Sequence, residues 1–526
     1  MKINTQLLLI LILLPVISIS QQNLYRVFFT DKNNCTFNPY NYFDHKAIER
    51  RIKNNINLYD SSDFPVNENY INKVKEYSDS LISINRWFNY ICITTDNQKI
   101  NDISQLPFVK NIEALTLKGN LCSNDNINED TITILTNDVK NLLIKQTEIL
   151  EGKLFDSAGY DGKGIRIAIF DAGFPTVNIS NAFKKIRDEG RIIKTWDFAK
   201  NKEFVYGYSS HGLMVMSCIA GIYQGQKIGL ATGAEFLLAR TEVNGEPYFE
   251  EENWLQAVEW ADKNGADIIN SSLGYTYQRY FNYDMNGKTS LVAKAANLAA
   301  KKGILVVNAA GNEGDSKWKV IGTPADADSV LSIGGIDPET YYHIYFSSYG
   351  PTSDGRTKPN VCAFGEVAAI TKKDEIKKVQ GTSFSSPLIA GFAACAWQAN
   401  PQLNNMELFK EIEKSAHLYP YFDYAHGYGI PKASYFLNKK KSNKPTFEFI
   451  KKVDEIIIKI YPEYLIDNSL PNLLYCNIQN ETGKIELYKV IQVEQEEVSK
   501  IIINNNLKNK IINAHYKGYT NSIKIN

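Results

Sequence analysis

Four side chains in this 526-residue chain are of the types that acyl-transfer chemistry needs: Asp171, His211, Asn312 and Ser383. Ser383 lies in "GTSFSSP", residues 381–387, where four hydroxyls precede the apolar run "LIAGFAACAWQA". One Ser or Thr oxygen is enough to cap a helix start, so capping accounts for one of Thr382, Ser383, Ser385 and Ser386 and leaves the others to be explained. A serine hydroxyl near neutral pH is unreactive without a base and an oriented partner. His211 offers the base. It opens the helical run "HGLMVMSCIAG" directly after two serines able to cap it, and of six histidines it is the one flanked by small residues that let a backbone approach. Asp171 follows "IRIAIF", which places a carboxylate at the end of an apolar strand. Asn312 stands in "VVNAAGNEG", also just past a strand, where its amide N–H₂ can donate to a developing oxyanion. Each is ordinary alone, because Asp-Ala-Gly and Asn-Glu-Gly are common turns. Ser383 adds a helix start, where backbone N–H groups and the dipole favour negative charge.

The elements that must position these groups are legible between about Leu154 and Phe436. Apolar runs "IRIAIF", "AEFLLAR", "ADIINSS", "GILVVNAA" and "VLSIGG" alternate with helical segments such as "EENWLQAVEWADKNG" and "SLVAKAANLAAKKG". Continuous Ile/Val/Leu strands separated by helices predict an α/β fold, a doubly wound, mostly parallel sheet covered on both faces. Functional groups in such folds gather at the carboxyl ends of the strands. Residues 21–120 mix β-like runs ("LYRVFFTD", "WFNYICITT", "EALTLKG") with charged helical stretches ("HKAIERRIKNN", "YINKVKEYSDSLI"), a small α+β domain. The polar "CSNDNINEDT" that follows reads as an exposed linker. Residues 437–526 return to β-rich runs ("EIIIKIY", "NLLYCNIQ", "KIELYKVIQV", "SIKIN") and predict a small β-sandwich.

The chain order Asp, His, Asn, Ser, with the wording of the segments around them, resembles the subtilisin-like serine proteases. "DGKGIRIAIFDAG", "HGLMVMSCIAG" and "GTSFSSPLIAG" resemble the family's three catalytic blocks, and "INSSLG", "GTPADADSVLSIGG", "FSSYGP" and "HGYGI" resemble framework segments in the expected order. The resemblance implies Ser383 as nucleophile, His211 as general base and then acid, Asp171 as the group that orients the imidazole, and Asn312 with the Ser383 backbone N–H as oxyanion donors. It implies that Ser272-Leu273-Gly274 and Ala309-Ala310-Gly311 are the backbone edges that hold a polypeptide substrate. Pro387 falls close enough to the first helical turn for its missing N–H to cost little. Three positions depart from the family pattern: Ala172 for a hydroxyl residue, Leu213 for the usual Thr and Phe364 for the usual Pro. They bear on the positioning of Asp171 and His211, and they motivate the alternative of a catalytically impaired fold serving as a binding or adhesion module. An esterase or lipase is disfavoured, since GxSxG and its Ser, Asp, His order are absent. Residues 21–120 resemble the propeptides of secreted members, so the chain's own propeptide is an expected partner and the protein is expected to be a zymogen.

The bulk numbers agree. Basic and acidic side chains number 58 each, so the charge gives no reason to expect nucleic acid as a partner. Lys2 ahead of "LLLILILLPVI", closed by Ser18-Ile19-Ser20, reads as a signal peptide over 1–20, which implies a secreted or extracytoplasmic protein with no membrane span in its mature part. The expected divisions are therefore 1–20, 21–120, a linker and start of the mature region over 121–150, a catalytic domain over 151–436 and the β-rich domain over 437–526. Seven cysteines without a CxxC pair argue against zinc, and most read as core thiols, with one or two disulfides permitted by export. No cofactor is expected; structural calcium is left open, since scattered loop Asp and Asn residues do not single out a site for it. Maturation is expected by cleavage between Gly119 and Ile149.

Overall fold

A computed structural model describes residues 23–115, 137–243, 249–277, 279–438, 444–452, 455–465, 471–493, 499–502 and 509–525. The expected signal segment, Cys122 and the expected polar linker thus lie outside the described residues. The chain forms two compact units, residues 1–36 with 64–116, and residues 37–63 with 117–526. Residues 37–63 fall within the sequence expected to form one domain over 21–120, yet they pack with the second unit.

Along the chain, β1 (Asn23–Phe29) is followed by α1 (Pro39–Tyr42) and α2 (His45–Lys53), which belong to the second unit. The first unit resumes with α3 (Glu68–Lys75), β2 (Ser80–Asn85), β3 (Tyr90–Thr95), α4 (Asn97–Ser104) and β4 (Val109–Ala114). Its antiparallel sheet has the order β2-β3-β1-β4. Tyr25, Val27 and Phe29 alternate onto one face with Ile91 and Ile93, and α3 and α4 cover that face with Ile71, Val74 and Ile103. The helix read through "YINKVKEYSDSLI" ends at Lys75, because Ser80 onward pairs with β3 instead.

The second unit continues with α5 (Asn137–Glu148), α6 (Gly152–Ser157), β5 (Arg166–Asp171), α7 (Lys184–Asp188), β6 (Ile192–Asp197) and α8 (His211–Ala220). A small hairpin, β7 (Ile222–Tyr223) and β8 (Gln226–Lys227), precedes β9 (Glu235–Arg240), α9 (Phe249–Lys263) and β10 (Ile268–Ser271). Then come α10 (Leu291–Lys301), β11 (Leu305–Ala309), β12 (Val330–Ile336), β13 (Val361–Phe364), the antiparallel pair β14 (Glu366–Ile370) and β15 (Ile376–Gln380), α11 (Thr382–Ala399), α12 (Asn405–Ser415) and α13 (Ala433–Asn438). Seven strands form one parallel sheet in the order β13-β12-β11-β10-β5-β9-β6. The chain enters at β5, builds outward to β6 and β9, then returns to β10 on the other side. The switch point therefore lies between β5 and β10, where a crevice opens at the carboxyl ends of the strands. Every residue of β5 is buried, as its unbroken apolar run requires. Helix α11 is buried almost all round, which fits its lack of a polar face.

The β-rich end comprises β16 (Phe447–Lys451), β17 (Glu455–Ile460), β18 (Leu473–Gln479), β19 (Ile485–Gln492), β20 (Ser499–Ile502), β21 (Ile511–Tyr516) and β22 (Tyr519–Lys524). Two antiparallel sheets, β16-β17-β20 and β19-β18-β21-β22, close over Phe447, Ile458 and Ile460 from one and Leu474, Cys476, Ala514 and Tyr516 from the other. Leu473 and Tyr475 also pack on Leu418 and Tyr421, and Asn477 Nδ2 donates to the Phe422 carbonyl. Cys35, Cys92, Cys218, Cys362, Cys395 and Cys476 are free thiols. Burial pushes Cys218 up to about 12, so it stays an inert core thiol at neutral pH. Among the described residues no helix is long and apolar enough to cross a membrane, and no His/Cys/Asp/Glu group is arranged to hold a metal.

Candidate active site

Asp171 is the last residue of β5 and is fully buried. One of its oxygens accepts from the Ala172 N–H at 2.7 Å, and His211 Nδ1 lies 2.8 and 3.0 Å from its two oxygens. A buried carboxylate in that position fixes the imidazole's orientation, with Nδ1 turned to Asp171 and Nε2 away from it. Without a hydroxyl at position 172, the turn is held from elsewhere: Arg240 Nε donates to the Ala172 carbonyl at 3.2 Å and the Thr241 N–H to the Asp171 carbonyl at 2.9 Å. Arg240 is itself paired with buried Asp197 at 3.0 Å.

His211 begins α8, and its N–H is received by Ser209 Oγ at 3.2 Å. The small residue beside it serves the protein rather than a substrate. A Cβ on Gly212 would stand 2.4 Å from the Gly173 carbonyl and 3.0 Å from Asp171 Cβ, so only glycine lets α8 approach the Asp171 turn closely enough for the pair to form. Leu213 is fully buried in the core, and Phe364 is buried edge-to-face against Tyr341. All three departures from the family pattern are thus absorbed without opening the Asp171–His211 contact.

The four hydroxyls of 382–386 each have an acceptor, and none caps α11. Gly381 is the N-cap, and the N–H of Thr382 is received by Asn312 Oδ1 at 2.9 Å. Thr382 Oγ1 donates to the same oxygen at 3.0 Å. With its oxygen held twice by Thr382, the Asn312 amide has its orientation fixed, and its Nδ2 lies 3.5 Å from where a Cβ on Gly381 would stand. Ser385 Oγ donates to the Phe364 carbonyl and Ser386 Oγ to Asn270 Oδ1, both at 2.9 Å. Ser383 Oγ donates to the Ser272 carbonyl at 3.1 Å, while the His211 ring lies 5.3 Å from the ring of Phe384 next door.

Pro387 sits inside α11, past the first turn, so its missing N–H leaves the Ser383 carbonyl without its intrahelical donor. Ser272 Oγ fills that place at 2.8 Å. The expected backbone edges flank this point. Ser272-Leu273-Gly274 runs on from β10, Ala309-Ala310-Gly311 from the end of β11, and Asn308 Nδ2 ties them together by donating to the Leu273 carbonyl at 2.9 Å.

One group beside the site is not signalled by sequence. Tyr275, next after Gly274, donates to Glu242 at 3.2 Å, and Arg279 stacks on its ring and pairs with Glu250 and Glu251, all of them buried. Burial and the neighbouring Glu242 push Glu250 up to about 9, and burial raises Glu242 as well, so the two carboxyls share a proton at neutral pH. Glu250 to Glu252 read in sequence as the favourable acidic first turn of a surface helix.

The subtilase family profile matches residues 162–429, just over half of the chain. The chain belongs to the subtilase family. Residues 24–130 of this subtilase match the peptidase S8 propeptide domain of Bacteroidota. The catalytic part is 26% identical to subtilisin DY of Bacillus licheniformis over 51% of this chain and 89% of that protein. It is 29% identical to the serine protease AprX of Bacillus subtilis over 53% of this chain and 68% of that protein. Among solved structures, MycP1 from Mycobacterium smegmatis aligns with a TM-score of 0.45 and 22% identity over 57% of this chain and 86% of that one. As a subtilase with a propeptide, the protein is a serine-protease-family hydrolase of peptide bonds made in precursor form.

Proposed function

We propose that the chain is a secreted serine endopeptidase in which Ser383, His211 and Asp171 form the catalytic triad. The observation that carries this reading is the 2.8 Å contact of His211 Nδ1 with buried Asp171, at the switch point that also receives the start of α11. In the reaction, Ser383 Oγ gives its proton to His211 Nε2 as the oxygen attacks the substrate carbonyl. Charge building on the carbonyl oxygen is met by Asn312 Nδ2 and by the N–H of Ser383, a first-turn donor that no intrahelical carbonyl serves. His211 then protonates the leaving amine, and water releases the acyl group by the same steps in reverse. Asp171 stays ionised throughout and stabilises the imidazolium. Ser272-Leu273-Gly274 and Ala309-Ala310-Gly311 hold the substrate backbone.

The test is labelling with a fluorophosphonate. Wild-type protein freed of its propeptide should be labelled, and Ser383→Ala and His211→Ala should not. A folded wild-type protein that takes no label would make the chain a binding module with a subtilase fold.

A further inference from the structure

Three neighbouring strands of the parallel sheet end on charged residues at one level. Asp171 closes β5, Arg240 closes β9 and Asp197 closes β6, and the strand registers set Arg240 opposite both carboxylates. Asp171 and Asp197 are fully buried, and Arg240 is 5% exposed. A buried guanidinium between two buried carboxylates could pair with either. It pairs with Asp197, Nη1 lying 3.0 and 3.1 Å from the two oxygens, and the Asp171 carboxylate is left to His211. Apolar side chains of similar volume fill such a place with little or no loss of stability, so the Arg240–Asp197 pair calls for a reason other than packing.

Arg240 touches both segments that carry the Asp171–His211 pair. On one side its Nε donates to the carbonyl of Ala172, the residue after Asp171, at 3.2 Å, while the neighbouring Thr241 N–H donates to the Asp171 carbonyl at 2.9 Å. On the other, the guanidinium lies 3.6 Å from the centre of the Tyr208 ring. Tyr208 stands just ahead of His211 with φ +71°, a conformation that residues other than glycine rarely take and that persists only where its surroundings hold it. The same segment packs on the Asp171 turn. A Cβ on Gly173 (φ +146°) would stand 2.4 Å from the Gly207 carbonyl oxygen and 3.1 Å from that of Ser209, whose Oγ receives the His211 N–H. Nε, Nη1 and the flat face of the guanidinium thus meet three different partners, a set that a lysine ammonium does not match.

We propose that Arg240 is a positioning residue of the reaction, which locks the Asp171 turn to the segment entering His211 in place of the hydroxyl that position 172 lacks. This rests on the triad reading, since Arg240 acts through Asp171 and His211. Its strand lies on the far side of β5 from β10 and β11, the strands that lead into the two proposed substrate edges. Loss of the lock therefore misaligns the imidazole and spares substrate binding, so it should lower kcat and leave KM nearly unchanged.

The experiment measures kcat and KM on a peptide substrate for the processed protein obtained by expressing the full chain, with active sites counted by fluorophosphonate titration. Arg240→Ala alone would strip buried Asp197 of its partner, so the test variant is Arg240→Met with Asp197→Asn, which removes both charges at similar volume. Its melting curve shows whether it folds. Its kcat per labelled site should fall about ten- to a hundredfold, the cost of a misplaced catalytic group, while KM changes by less than about twofold. Ala172→Ser supplies a donor next to the N–H that already serves Asp171. It should raise kcat about fivefold or more in the test variant and by less than about twofold in the wild type. If the test variant does not fold, Arg240→Lys keeps a charge for Asp197 without the planar fork, and it should show a fall in kcat of about threefold or more at fixed KM, with recovery by Ala172→Ser. An unchanged kcat in the folded variant, a loss confined to KM, or an equal effect of Ala172→Ser in both backgrounds would overturn the proposal. Wild-type turnover in Ser383→Ala would instead overturn the triad reading, whatever the Arg240 variants do.

Discussion

Ser272 and Ser383 exchange hydroxyl-to-carbonyl hydrogen bonds. Ser272 Oγ donates to the Ser383 carbonyl at 2.8 Å, and Ser383 Oγ donates to the Ser272 carbonyl at 3.1 Å. The first bond replaces the helical donor that Pro387 lacks, and it fixes the start of α11 against the edge running on from β10. The second holds the hydroxyl on that edge, from which the proposed reaction requires it to turn to His211. The edge running on from β10 and the start of α11 are therefore positioned by each other.

This pairing predicts a coupling between residues on different elements. Ser272→Ala should destabilise the protein by about 1–2 kcal/mol, because the Ser383 carbonyl is left without a donor. Pro387→Ala supplies an N–H to the same carbonyl. In the Ser272→Ala background it should therefore recover more stability than in the wild type, with a coupling of roughly 1 kcal/mol. A double-mutant cycle by denaturant unfolding measures it, and strict additivity would refute the compensation.

Asn312 and Thr382 form the second positioning pair. Asn312→Leu should lower kcat by about a hundred- to a thousandfold with a smaller effect on KM, the usual cost of losing one oxyanion donor. Thr382→Val keeps the backbone N–H that holds Asn312 Oδ1 but loses the hydroxyl. It should lower kcat by about tenfold, the value of one neutral hydrogen bond. Steady-state kinetics on a peptide substrate distinguish the outcomes, and an unchanged kcat in Asn312→Leu would move the oxyanion role to other donors.

The cluster behind Tyr275 sets a pH dependence of stability. Burial holds Glu250 protonated up to about 9, against an ordinary value of 4.5. Between those values the folded state binds more protons than the unfolded one, so this group's contribution is fully present below about pH 4.5 and lost as pH rises through about 9. Glu250→Gln keeps an uncharged acceptor for the Val243 N–H at every pH. Its melting temperature relative to wild type should therefore climb between pH 5 and pH 9. Scanning calorimetry at pH 5, 7 and 9 checks this, and a constant difference would assign the shared proton elsewhere.

What the sequence carried was local. The buried strands β5, β9, β10, β11 and β12 were legible because their apolar runs are continuous, and Asp171, Ser272 and Asn312 were legible as residues at or just past strand ends. Strand β6 was not, because "IIKTWD" forms a half-exposed edge, and neither was β13, the short strand at the other edge. Three strands of the β-rich end, β16, β20 and β21, also escaped notice. Pro387 was read as harmless because its compensating donor lies 111 residues away in the chain. Arg50 and Arg51 were legible only as part of a charged helical stretch, because Arg51 finds its partner Asp262 at a separation of 211 residues. A pattern along one helix does not report a counter-charge supplied by another element.

The last prediction concerns where the precursor is cut. Sequence composition alone allows any bond between Gly119 and Ile149, since the polar stretch after Asn120 is followed by a segment of helical periodicity that can stay with either product. The packing of α5 decides between these. Val139, Leu142 and Leu143 enter the same core as β5 and α8, and buried Gln146 donates to the Ile228 carbonyl and accepts from the Ala368 N–H, both at 2.8 Å. Removing α5 would open that core and leave two buried main-chain groups without partners, a cost of several kcal/mol. The mature enzyme should therefore keep α5 and begin between Asn120 and Asn137. If Ser383 makes the cut, secreted wild-type protein should show that N-terminus while Ser383→Ala, equally folded by its melting curve, should begin near Gln21 and remain one chain. N-terminal sequencing of both products is the measurement. Cleavage of both at one site would assign maturation to another protease, and a mature N-terminus beyond Glu148 would show that α5 is dispensable to the core.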